Sequence, residues 1–202
     1  MSKTQKDKRS GRAVASTSAN GTHENSVIPK RVISLISQEN YVAAYDVIRA
    51  LPRSPVTLQA MGVCAMRFGK AADAVNLFRS MAVSPGTTVL RSDIDDAVKI
   101  NYATALMLAG LPSGALEILN ELQDKSQPSA EKIRAAIKTW AAGLSFWRRL
   151  DWKLNGIDPP NSPVPIDFEP GVFPFVVPHV TESSLPLSAP SLPHSEPVQL
   201  SA

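Results

Sequence analysis

Between Ile28 and Gly156 the apolar residues recur three and four positions apart, the period of a helix with one buried face. Nowhere does the chain alternate apolar and polar residues long enough to predict a strand, so the expected class is all-α. The breaks carry recognisable start and stop residues. They predict helices from about Pro29 to Ser37, Asn40 to Leu51, Pro55 to Phe68 and Ala71 to Met81, with Pro29 and Pro55 in first turns where a missing N–H costs nothing. After an irregular segment, Val83 to Arg91, Ser92 is the expected N-cap of a fifth helix, because Asp93, Asp95 and Asp96 would place negative charge at its positive end. That helix should stop at Gly110 and the next begin at Pro112. The seventh, Ser129 to about Leu154, carries a stripe of Ile133, Ile137, Trp140, Leu144 and Trp147, extended by Leu154, that something must cover. Arg148 and Arg149 suit its negative end, and Gly156 before Pro159 and Pro160 stops it.

Composition divides the chain into three regions. Residues 1–28 hold Lys3, Lys6, Lys8, Arg9 and Arg12 among Ser, Thr, Asn and Gly, a mixture that cannot repay its ordering entropy and reads as a disordered basic tail. Residues 29–156 form the helical domain. From Asp151 onward lie eleven of the seventeen prolines and six acidic residues with a single lysine, so a formal charge of +3 hides a basic head and an acidic Pro-rich tail, residues 157–202. Within that tail Ile166, Phe168, Val172, Phe173, Phe175, Val176 and Val177 form an apolar cluster whose exposure would be costly. Residues 158–178 are therefore expected to fold back in extended form over the last helices or into an apolar groove, with docking to another protein as the rival reading. Beyond Thr181 disorder is expected.

When the helix pairs are laid on one another, Ala44, Ala74 and Ala115 align, followed by Ile48, Phe78 and Leu119, then Leu51, Met81 and Leu122. The second pair reads Leu58, Met61, Gly62, Ala65, Gly69, Ala74, Phe78 and Met81. The third keeps Tyr102, Ala103, Leu106, Gly110, Ala115, Leu119 and Leu122, with Lys99 at a position that prefers a large apolar residue. The first pair is weaker, with Glu39 in its turn instead of glycine and Arg31 in place of leucine. This pattern of small residues at helix crossings and large ones between them resembles the tetratricopeptide repeat. The resemblance implies a short right-handed α-solenoid of about three antiparallel helix pairs, with the last helix capping the third pair through Trp140 and Trp147. It also implies a groove lined by the first helix of each pair, a protein or peptide as partner, and the work of an interaction scaffold. On the matching positions stand Val56, Gln59, Val63, Met66 and Arg67, then Ala97, Ile100, Thr104, Met107 and Leu108, an apolar surface with Arg67 its only charge. A hydrophobic peptide would suit it.

Chemistry changes this picture little. His23, His179 and His194 all fall in the tails, the aspartates after Ser92 read as helix capping, and no glycine-rich phosphate loop occurs, so neither catalysis nor a metal or other cofactor is expected. Cys64, between apolar neighbours, reads as a small buried hydrophobe, and a lone cysteine fits a cytoplasmic location. No apolar run follows the first basic residues as a secretory signal would need, and none approaches the roughly 20 residues needed to span a bilayer. The basic head, without interleaved aromatics, reads as a solubility tail; a basic-armed accessory protein on nucleic acid is the alternative. Pro160 to Pro163 and Pro190 to Pro193 have PxxP spacing but no flanking arginine.

Overall fold

The computed structural model describes residues 28–160 and 162–178, and the structural statements here concern these. The expectations for the basic head, for the three histidines and for the chain beyond Thr181 lie outside the described residues. Among the described residues are eight α-helices and no strand: α1 Lys30–Ser37, α2 Tyr41–Arg49, α3 Pro55–Arg67, α4 Ala71–Ala82, α5 Asp96–Leu108, α6 Pro112–Asn120, α7 Pro128–Gly143 and α8 Phe146–Asn155. None is long and apolar enough to cross a membrane. From α1 to α7 each helix packs on the next, and α5 also touches α3 and α7.

Three turns repeat one set of bonds. In each, a backbone N–H reaches five residues back: Asn40 to Leu35 O (2.9 Å), Lys70 to Ala65 O (2.8 Å) and Leu111 to Leu106 O (2.9 Å). The residue before each donor adopts a left-handed backbone, Glu39 at φ 57°, Gly69 at φ 82° and Gly110 at φ 77°. This is the helix stop that closes carbonyls by a left-handed residue, which glycine adopts freely and glutamate only under strain. The aligned positions are equivalent in burial as well: Ala44, Ala74 and Ala115 are fully buried, and Ile48, Phe78 and Leu119 are at most 1% exposed. The small residue of α3 has a direct reason, since a methyl group on Gly62 would stand 2.5 Å from the Phe78 ring.

The polar residues of α5 tie it to the next unit. Lys99, buried in an apolar stretch of α5, donates to Glu121 O at 2.9 Å, at the C-terminal end of α6, and to Asp96 Oδ1 at 3.3 Å. Asp96 in turn accepts from the backbone N–H groups of Gln123 (3.2 Å) and Asp124 (3.0 Å), ordering the connection to α7. These bonds displace the expected start at Ser92. The helix begins at Asp96 behind Asp95, whose side chain makes no cap, while Asp93 pairs with Arg91 at 2.7 Å. The segment before it closes as an isolated Val83–Leu90 bridge.

A second correction concerns the last helix, which is two. Leu144 turns extended after Gly143 (ψ 148°), and α8 starts afresh at Phe146. Arg149 folds back to donate to the carbonyls of Ala142 and Leu144, satisfying the end of α7. Ile133, Ile137, Trp140 and Leu144 are buried as the stripe predicts, but Trp147 is 75% exposed and Leu154 73%. The residue that meets Trp140 is Trp152, edge to face with centroids 5.3 Å apart, so the bend replaces one tryptophan of the stripe by another.

Candidate functional site

Helices α1, α3, α5 and α7 each contribute to one cavity of about 550 Å³, lined among others by Ile36, Arg67, Asn101 and Ile133. The chain's own tail forms its other wall. Residues 158–160 and 162–178 run back without regular structure, and two anchors hold their start. Asp158 Oδ1 accepts from Ser113 N–H (3.0 Å), Ser113 Oγ (2.8 Å) and Trp152 Nε1 (3.1 Å), giving the positive end of α6 the carboxylate that its own first residues lack. Trp140 Nε1 donates to Ser162 O at 3.0 Å, and Val164 is buried beyond it.

Further along, the tail lies over α3 and α5. Asn101, fully buried in the apolar run of α5, pairs with one residue of the tail through both amide atoms: its Nδ2 donates to Val172 O at 2.9 Å and its Oδ1 accepts from Val172 N–H at 2.8 Å. The pair mimics one rung of a β-ladder, a way to hold an extended chain whatever its side chains are. Arg67 donates to the carbonyls of Pro170 (3.2 Å) and Gly171 (3.1 Å) and pairs with Glu169, while Tyr41 Oη accepts from Arg67 Nη1 at 3.0 Å. The guanidinium lies 4.8 Å from the Phe173 ring centre and 5.2 Å from that of Tyr41. Burial lowers the Arg67 pKa from its ordinary value, and Tyr41 opposes that effect; an arginine remains charged, so the group serves as a fixed cation satisfied on every side.

Of the residues expected to line a groove, Arg67, Ile100 and Thr104 line this cavity, and Val63 and Met66 lie beneath Gly171. Thr104 spends its hydroxyl on Ile100 O at 2.8 Å within its own helix. Val56, Gln59, Met107 and Leu108 do not line the cavity, Met107 being fully buried, and Ala97 is exposed. Arg67 is not the face's only charge, since Glu39 and Lys132 stand on it too. Asn101 and Tyr41 escaped the sequence reading. The available signal was a lone uncharged amide inside the apolar run from Ile100 to Leu106.

Cys64, one turn from Arg67, is fully buried, and desolvation pushes its thiol up to about 12 against a smaller opposing pull from Arg67. Such a thiol is neither nucleophile nor ligand at neutral pH. Among the described residues no three of His, Cys, Asp or Glu stand together as a metal site requires. In comparisons with family models, curated proteins and solved structures, nothing matches the chain.

Proposed function

We propose that residues 29–156 form a short right-handed α-solenoid of three antiparallel helix pairs resembling tetratricopeptide repeats, closed by α7 and α8. In this reading the face shared by α1, α3, α5 and α7 binds an extended peptide or protein segment and catalyses nothing. The three identical turn motifs and the equivalent buried positions support the architecture. The observation that carries the function is Asn101: a fully buried amide whose two hydrogen-bonding atoms are aimed at the backbone of a non-helical segment. A face that holds one extended chain by its main-chain groups has the means to hold another. The polar groups on it are arranged around a peptide backbone and a carboxylate, the work of an adaptor in the cytoplasm, where the single Cys64 would stay reduced.

The test is panning of a random linear peptide library on the full-length chain, with Asn101→Leu as the counter-screen. Peptides that bind the wild type, tolerate salt and are lost on Asn101→Leu support the reading. Binding that collapses as salt rises and ignores position 101 refutes it and favours attraction of nucleic acid by the basic head.

A further inference from the structure

The tail's fit to the face defines a ligand. Gly171 sits at φ 77°, a conformation that demands glycine, and a methyl group there would lie 2.5 Å from Met66 Cε, the movable end of its side chain, and 3.2 Å from Val63 Cγ1, so the space is tight as well. Val172 is hydrogen-bonded through its main chain and the residue is 55% exposed, so that position is free to vary. Phe173 is 9% exposed, lies against the Arg67 guanidinium and stacks on Phe175 at 5.4 Å. Glu169 meets Arg67 and Tyr41, while Pro170, which offers no N–H, contributes only its carbonyl.

From this we propose, building on the reading above, that the groove's ligand is an extended segment of the pattern acidic–any–Gly–any–Phe. It enters by displacing residues 168–177, which act as a tethered competitor. Three contacts gather on Arg67, which takes a carboxylate, two carbonyls and the face of an aromatic ring, and two stand apart from it, the left-handed turn at Gly171 above Met66 and the backbone pairing with Asn101. The carboxylate, the glycine and the aromatic ring each select for a residue type, the main-chain contacts require only an extended backbone, and together they define a sequence class. Tethering raises the tail's effective concentration to the millimolar range, so an external peptide of the same sequence meets a groove already filled.

The experiment uses full-length protein and a fluorescent peptide of residues 166–177, followed by anisotropy. Gly171→Val in the chain keeps its own tail from seating, and Glu169→Lys weakens seating through an exposed position; far-UV circular dichroism checks that both fold. The expected result is that the peptide binds either variant at least tenfold more tightly than wild type. Binding should vanish with Asn101→Leu added to the chain or with Gly171→Val placed in the peptide. The proposal is overturned if both folded variants bind the peptide no better than wild type does. In that event a library panned on the Gly171→Val chain separates the two levels. Asn101-dependent ligands lacking the pattern would leave the groove a binding site with another specificity, and no ligands at all would remove the binding reading too.

Discussion

The close approach of α3 to α4 makes a substitution whose sign depends on distance alone. Gly62→Ala adds one methyl in mid-helix, where Ala is favoured over Gly by about 0.8–1 kcal/mol. The same methyl would sit 2.5 Å from two carbons of the Phe78 ring, well inside contact distance, and Phe78 is completely buried. Overpacking of this kind costs about 1–3 kcal/mol, which less the helix gain leaves a net loss of up to about 2 kcal/mol, or up to about 8 °C in Tm for a domain of this size. Gly114→Ala supplies the contrast, since its methyl would meet only the two Leu106 methyl groups, at an ordinary 3.7 and 3.9 Å, and the variant should be neutral or slightly stabilised. Urea and thermal unfolding of the full chain measure both. Phe78→Leu should be less harmful in the Gly62→Ala background than in wild type, with a coupling of about 1 kcal/mol. If Gly62→Ala stabilises the protein as much as Gly114→Ala does, the two helices are not in contact through this ring and the packing argument fails.

Trp140→Ala should cost about 3–5 kcal/mol, because Trp140 is buried and bonded to Ser162, whereas Trp147→Ala should stay within about 0.5 kcal/mol; equal losses in denaturant melts would contradict the bend between α7 and α8. Desolvation raises the pKa of Asp96, but the N–H groups of Asp124 and Gln123 and the Lys99 ammonium outweigh it and hold the pKa below the ordinary 3.8. A carboxylate held low contributes stability above its unfolded pKa and loses it as pH falls through the folded one. Asp96→Asn should therefore cost about 1–3 kcal/mol at pH 7 and progressively less in melts carried below pH 4; a gap independent of pH would rule this out. Cys64 should resist a thiol reagent at pH 8 in the native chain and react once denatured, and fast native labelling would show that α3 opens. In hydrogen exchange, the Val172 amide should be protected in wild type and lose at least tenfold of that protection in Asn101→Leu, while core amides of α3 and α5 change little; an unprotected Val172 in wild type would mean that the tail is not seated.

What was legible in the sequence was local. Gly69 and Gly110 end helices by a conformation that glycine adopts freely, Pro55 and Pro112 begin them, and the alanines at 44, 74 and 115 align because helices crossing there leave no room for more. The break at Leu144 was not legible. Gly143 is tolerated within a helix, no proline follows, and the bend is decided by distant partners, Trp152 against Trp140 and Arg149 on the carbonyls of Ala142 and Leu144. Ser92 lost its place for a similar reason. Of the aspartates that follow, Asp96 is drawn to N–H groups 27 and 28 residues onward, which no local capping rule can see. The tail's need for cover was visible in Phe173 and Phe175, but its register was not, because it is set by one amide, Asn101, acting across 71 residues.

That register also explains why the tail suits a removable occupant better than a permanent part of the core. Val164 and Phe173 are buried, but Val172 and Val176 point outward at 55% and 86% exposure, so burial of apolar surface contributes only part of the attachment. The rest is directional: Asp158 and Ser162 fix the start against α6, α7 and α8, while Arg67 and Asn101 hold the stretch from Glu169 to Val172. These two groups differ in kind. The first joins helices that would lose their own caps and partners if it let go, whereas the second grips main-chain atoms and a carboxylate that any peptide of matching pattern also carries. A segment fixed at its root and held beyond it by replaceable contacts can leave the groove without unfolding the body. The exchange costs little in hydrogen bonds as long as another chain takes up the same donors and acceptors.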